Sequence, residues 1–239
     1  MFLMNLRDRS TLFWGFAFPI GLILLYGAIW GGATMGGVSA ITWLMIGVVV
    51  LNIMASGMIG DSTWFASARD KGQLQRLHAT PLPPLQLIGS YVLVRVLIGL
   101  IQAALICTVA MLVYGATMSL SGLALGFGLA VLGLVVFIIL GQAVGAAAPS
   151  VRSAMAVGQV IYFPLMFLSN LFLPLEALPG WLANVSQWTP ATMLVDLLRT
   201  ALIPQMVATQ AAWVNLLGLG LYGLLGLLVA VRFFRWSPR

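Results

Sequence analysis

The chain has 239 residues, of which 62% are hydrophobic and only 7% charged, and its mean hydropathy is +1.08. So little polar surface cannot cover a soluble globule, so the sequence describes an integral membrane protein. Its 11 Lys and Arg against 5 Asp and Glu are scattered between apolar runs rather than gathered on one soluble face, which excludes a nucleic-acid partner and makes the charges markers of topology.

A helix crossing about 30 Å of hydrocarbon needs about 20 apolar residues, and six stretches meet that need. The alternating segments of about ten residues that mark a membrane barrel are not seen. The first span, Leu12 to Trp30, follows Arg7 and Arg9 and superficially resembles a signal peptide. It is longer than a signal core and no hydrophilic domain follows, so it is read as a span. The second covers Ile41 to Phe65, the third Leu85 to Tyr114, the fourth Leu120 to Ala148, the fifth Ala154 to Leu173 and the sixth Ala212 to Phe233. The fold class is therefore all-α, with residues 1–239 forming one membrane domain.

Between the second and third spans, Asp61 to Pro84 holds the densest charge in the chain. Ser67 with Asp70 three residues on reads as a helix N-cap, and Pro81, Pro83 and Pro84 forbid continuation, which predicts a short helix over about 67–80. Leu74 and Leu77 fall on one face of it, and Arg69, Gln73 and Arg76 on another. The stretch is either an amphipathic docking helix or a solvated connector on the membrane surface.

Six spans put both termini on one side. Arg7, Arg9, Arg69, Lys71, Arg76, Arg152, Arg232, Arg235 and Arg239 share that side, whereas the opposite loops hold only Arg199. The positive-inside rule makes the basic side, and both termini, cytoplasmic. On the other side, Pro174 to Gln210 is too long for a tight turn and too apolar for a disordered loop. Pro179 can start one short helix with Trp181, Leu182, Val185 and Trp188 in a stripe. Thr189 and Pro190 can cap and start a second, carrying Asp196 and Arg199 as an i,i+3 ion pair, which Pro204 stops. An outer-interface hairpin over about 174–204 is expected, its tryptophans at headgroup depth.

The inventory for chemistry is thin. His78 is the single histidine, Cys107 the single cysteine and Lys71 the single lysine. No GxxxxGK[ST] loop exists to hold ATP, and no metal-ligand cluster can be built. Asp61 and Arg95 are ionisable groups near span ends, and they either pair to hold two helices together or face a substrate. Gln102, Gln142, Asn52 and Asn170 lie within or beside spans, as interhelical hydrogen-bonding groups or as a polar translocation surface. Gly122 to Gly126 and Gly141 to Gly145 have the GxxxG spacing that lets helices approach closely.

Two stretches resemble the ABC type-2 permease family, the membrane subunits of one large class of ABC exporters. ARDKGQLQRLHATPLPP supplies Asp70, Gly72, Leu74, Arg76, Leu77, Thr80, Pro81 and Leu82 of the family's first loop, and FLPLEALPGWLANVSQWTPATMLVDLLR supplies Phe172, Pro174, Pro179, Trp181, Leu182, Pro190, Thr192, Asp196 and Arg199 of its outer segment. The resemblance implies that the loop, Arg69 included, is a coupling helix docking on a separate ATPase subunit, that ATP and Mg bind that partner and not this chain, and that two permeases, as a homodimer or heterodimer, work with two ATPases. It implies a non-catalytic, multi-pass permease of a bacterial or archaeal cell membrane, in contact with lipid. Export would run by alternating access at the permease interface, the apolar spans favouring a hydrophobic or amphiphilic cargo such as a drug, antibiotic or lipid, as in multidrug efflux. A secondary transporter would need broken helices in an inverted repeat, and a lipid-modifying membrane enzyme a cluster of acids or histidines; neither is evident.

Overall fold

The computed structural model describes residues 13–78 and 84–234. Pro81, Thr80 and Leu82 lie outside the described residues, as do Arg7, Arg9, Arg235 and Arg239 and the side chains of Arg76 and Leu77. A π-turn, Phe13–Ala17, leads into α1, Phe18–Trp30. A minimal hairpin of β1, Thr34–Met35, and β2, Val38–Ser39, follows. This pair of strands is a small departure from the all-α expectation. It forms because Gly36 and Gly37 both take positive φ, 56° and 79°, the backbone of a tight hairpin turn.

Helix α2, Ala40–Ala55, starts on Ser39, whose hydroxyl accepts from the Thr42 amide. It runs through a π-helical segment, Ser56–Asp61, into α3, Ser62–Asp70, a single 31-residue apolar rod. The short α4, Gln73–His78, comes next, then α5, Pro84–Tyr114, α6, Leu123–Ala147, and α7, Val151–Leu168. A 3-10 turn, Leu175–Ala177, precedes α8, Gly180–Ser186, and α9, Pro190–Leu202; α10, Ala212–Phe233, closes the order. Among the described residues five helices are long and apolar enough to cross a membrane, and the first apolar helix, Gly15–Trp30, is shorter.

The core is built around α2 and α6. Every residue of α2 except Asn52 and Ala55 is buried, and α6 packs against α2, α3, α9 and α10. Side-chain volume does not hold these rods apart, because glycines sit at the crossings. A Cβ at Gly141 would overlap the Gly57 carbonyl oxygen, and one at Gly57 the Phe137 carbonyl; Gly122 lies equally close to the Ala201 carbonyl. Both GxxxG pairs of α6 thus mark close approaches, one to the π segment and α3, the other to the end of α9.

Candidate functional site: a membrane-embedded charge pair between two braced ends

Asp61 closes the π segment and is fully buried. Its Oδ1 accepts from Arg95 Nε at 2.7 Å and from the Tyr91 hydroxyl. The same guanidinium donates through Nη2 to the Ser56 hydroxyl at 2.8 Å and to its carbonyl at 3.2 Å. Trp64 stacks on Tyr91 with centroids 3.9 Å apart. One carboxylate and one guanidinium therefore neutralise each other where the π segment faces α5. Asp61 Oδ2 has no partner among the described residues. Beside the pair, Asn52, Ser56 and Thr63 are only half-buried along the rod formed by α2, the π segment and α3, a polar strip on an otherwise apolar rod. Gln102 donates to the Gly15 carbonyl at 2.7 Å, tying α5 to the first helix, while Gln142 is half-buried on α6.

At the opposite end, the chain after α7 folds back. Phe172 packs on Tyr26 with centroids 5.4 Å apart. Pro174 precedes the 3-10 turn and Pro179 is the N-cap of α8, while Thr189 caps α9 by accepting from the Thr192 amide, with Pro190 as its first residue. Trp181, Val185 and Trp188 are exposed. Helix α9, by contrast, is buried along nearly its whole length and descends beside α6, from Leu202 at Gly126 to Leu194 at Gly133.

The expected Asp196–Arg199 pair does not form. Arg199 is 1% exposed and donates to the carbonyls of Asn170 at 2.7 Å, Leu171 at 3.0 Å and Trp43 at 3.2 Å, with its guanidinium carbon 3.5 Å above the Trp43 ring centroid. Asp196 instead accepts from the Thr209 amide and hydroxyl and from Asn215 Nδ2 at 2.8 Å. Each charge is claimed by a different neighbour. Asp196 sits where the amides entering α10 point outward, and Arg199 where the carbonyls leaving α7 do.

The basic end differs from expectation in a more consequential way. No helix begins at Ser67, because α3 runs continuously out of the second span through Asp70, and Gly72, at φ 66°, breaks it from α4. Arg69 is 3% exposed and turned inward. Its Nη1 donates to the Gly145 and Ala146 carbonyls at 3.3 and 3.4 Å and its Nη2 to the Ala148 carbonyl at 2.8 Å. Leu74 is 7% exposed and packs with Phe65, Ala68 and Ala146, against the half-buried Trp64 and Phe234. Among the described side chains of the elbow, Asp70, Lys71, Gln73 and Gln75 are exposed.

The family model described as ABC-2 type transporter matches residues 1–203. The chain belongs to the ABC-2 transporter family. It is a membrane domain of that transporter class, whose permeases are generally non-catalytic, work with an ABC ATPase and dimerise. No curated protein matches the chain as a relative.

For an ABC-2 chain, the elbow carries a correction. The resemblance places Arg69 and Leu74 toward a docked ATPase, yet in the structure both are spent inside the chain. The amphipathic pattern assumes one uninterrupted helix, and the break at Gly72 changes which faces are aligned. Leu74→Asp is consequently expected to lower the melting temperature of the chain purified alone. It forfeits the burial of a leucine, about 1.5–3 kcal/mol, and strands a carboxylate among Phe65 and Ala146. Gln75→Asp, at an exposed neighbour, should leave the melt unchanged, and equal melts for the two variants would show that Leu74 is not part of the core.

Proposed function

We propose that the chain is the permease subunit of an ATP-driven exporter in the membrane of a bacterial or archaeal cell, two copies working with two ATPase subunits. The observation that carries this reading is the family match over residues 1–203. The loop between the second and third spans, with Asp70, Lys71, Gln73 and Gln75 outward, is the ATPase contact, and it faces the cytoplasm with both termini because the basic residues gather on that side. The half-buried strip of Asn52, Ser56 and Thr63 beside Arg95 lines the path. Small hydroxyl and amide groups on an apolar wall suit an amphiphilic cargo, a drug, antibiotic or lipid, better than a highly charged solute. Closure of the ATPases on ATP moves the loops and shifts the permease pair between inward- and outward-open arrangements.

The test is reconstitution. The purified chain alone is expected to show no ATP turnover, and co-expression with an ABC ATPase should give a complex that hydrolyses ATP. Lys71→Glu with Gln75→Glu should reduce co-purification several-fold while leaving membrane levels unchanged. ATP turnover by the chain free of any partner would overturn the reading.

A further inference from the structure

Arg69 offers the strongest unexplained geometry in the molecule. A long, charged side chain at the end of a membrane rod would ordinarily reach water, yet this one is driven back into the protein. Its nearest acid, Asp70, is 3.4 Å from Nε and is itself 37% exposed in its side chain. The main partners are instead three carbonyls at the end of α6, groups that helix geometry leaves without amides and that carry the negative end of the helix dipole. Because those carbonyls belong to the last turn of α6 and to the link into α7, the bonds exist only while α3, α6 and the start of α7 keep one arrangement. Ser150, two residues past Ala148, then caps α7 by accepting from the Ser153 amide.

Two further ties converge on the same place. The positive φ of Gly72 turns the chain sharply enough for α4 to return Leu74 to the α3–α6 contact. Phe234, one residue past α10, meets Phe65 edge-on at 5.7 Å. A small apolar core, separate from the main one, thus joins the ends of α3, α6 and α10 to the loop.

We propose that Arg69 is a positioning residue that makes the loop at 71–78 move as one body with the ends of α3, α6 and α7. A push on the loop, carried past Gly72 by the packing of Leu74, is then delivered to α6 and α7 through the Arg69 bonds instead of being absorbed by slippage of the α3 end against α6. This rests on the reading of the chain as an ATP-driven permease only for the origin of the push; the rigid body is a property of the chain alone. Loss of the three carbonyl bonds leaves α4 held to the α3 end by Leu74, so the fold persists while the loop and the α3 end shift together against the link into α7.

The test places spin labels at Gln75 and Arg152, both exposed, in a Cys107→Ser background, and measures the distance distribution in the purified chain. A single narrow peak is expected, broadening at least two-fold in width with Arg69→Gln. Arg69→Lys should fall between, because an ammonium cannot span three carbonyls as a guanidinium fork does. A residue that served stability alone would lower the yield and the melting temperature but leave the folded fraction with its narrow peak, and that result overturns the proposal. Should Arg69→Gln not fold, Arg69→Lys carries the same comparison.

A second readout uses the complex with an ABC ATPase and a fluorophore on Trp181→Cys. Arg69→Gln should cut the fluorescence response to ATP and vanadate at least five-fold at unchanged ATP turnover; a full response overturns the proposal. Failure of the unsubstituted chain to bind any ATPase would instead sink the permease reading, while the width of the distance peak still decides the role of Arg69.

Discussion

Asp61→Ala is expected to destabilise the chain by about 3 kcal/mol or more, because it strands Arg95 beside an apolar core. The guanidinium would keep its bonds to Ser56 but lose the carboxylate 2.7 Å away. Arg95 is 17% exposed in its side chain, so some relief by reaching toward the headgroups places the loss at the lower end of the range for broken buried pairs, about 3–5 kcal/mol. Arg95→Met in the same background should recover much of the loss, since an apolar side chain has no charge to strand. Tyr91→Phe should cost only about 1 kcal/mol, the worth of one hydroxyl bond. Unfolding midpoints in a mixed detergent series would measure the set as a double-mutant cycle. If the double variant were as unstable as the sum of the singles, the two residues would not be coupled.

Gly141→Ala should be at least as damaging, although it adds one methyl group. That methyl would overlap the Gly57 carbonyl oxygen and come within 3.3 Å of Asp61 Cβ. A backbone carbonyl cannot rotate away as a side chain can, so α6 and the π segment must separate along their crossing. Overpacking usually costs about 1–3 kcal/mol, and a backbone obstacle belongs at the top of that range. Separating these helices also disturbs the Asp61 pair, which adds to the loss. Gly128 on the same helix and Gly220 on α10 have nothing within 4 Å of an added Cβ, so Gly128→Ala and Gly220→Ala should be neutral or mildly stabilising. Yield of monodisperse protein and melting temperature separate the outcomes, and equal behaviour of Gly141→Ala and Gly128→Ala would refute the close-approach assignment.

The apolar rods were legible in the sequence because a membrane imposes a length and a composition that few other constraints mimic. So were the starts of α8 and α9, since Pro179, Thr189 and Pro190 act through local backbone chemistry. What spacing could not supply was which neighbour would claim a side chain. Asp196 and Arg199 stand at a pairing distance on a helix, but Arg199 bonds the Trp43 carbonyl 156 residues away, a contact with no local trace. The same holds for Arg69, whose carbonyl acceptors lie 76 to 79 residues on. Among 26 glycines, the GxxxG spacing marked Gly141, pressed on a backbone, and passed over Gly128 in open space, but it carried no sign of which rod each glycine would meet. The π segment also leaves no pattern, because it adds one residue to a turn without changing composition.

The shortness of α9 has a consequence for how the chain is made. With 13 residues it is about 20 Å long, well short of the hydrocarbon thickness, and it carries Asp196 and Arg199, which hydrocarbon does not accept bare. An insertion machinery that releases spans one by one cannot release this helix as a span. Its place exists only once other parts of the chain are present. Arg199 finds its acceptors on segments already synthesised, Trp43, Asn170 and Leu171, but Asp196 waits for Thr209 and Asn215. The helix therefore settles only once Thr209 and Asn215, at the entry to α10, have joined it, and its docking follows the insertion of the hydrophobic segments on both sides of it.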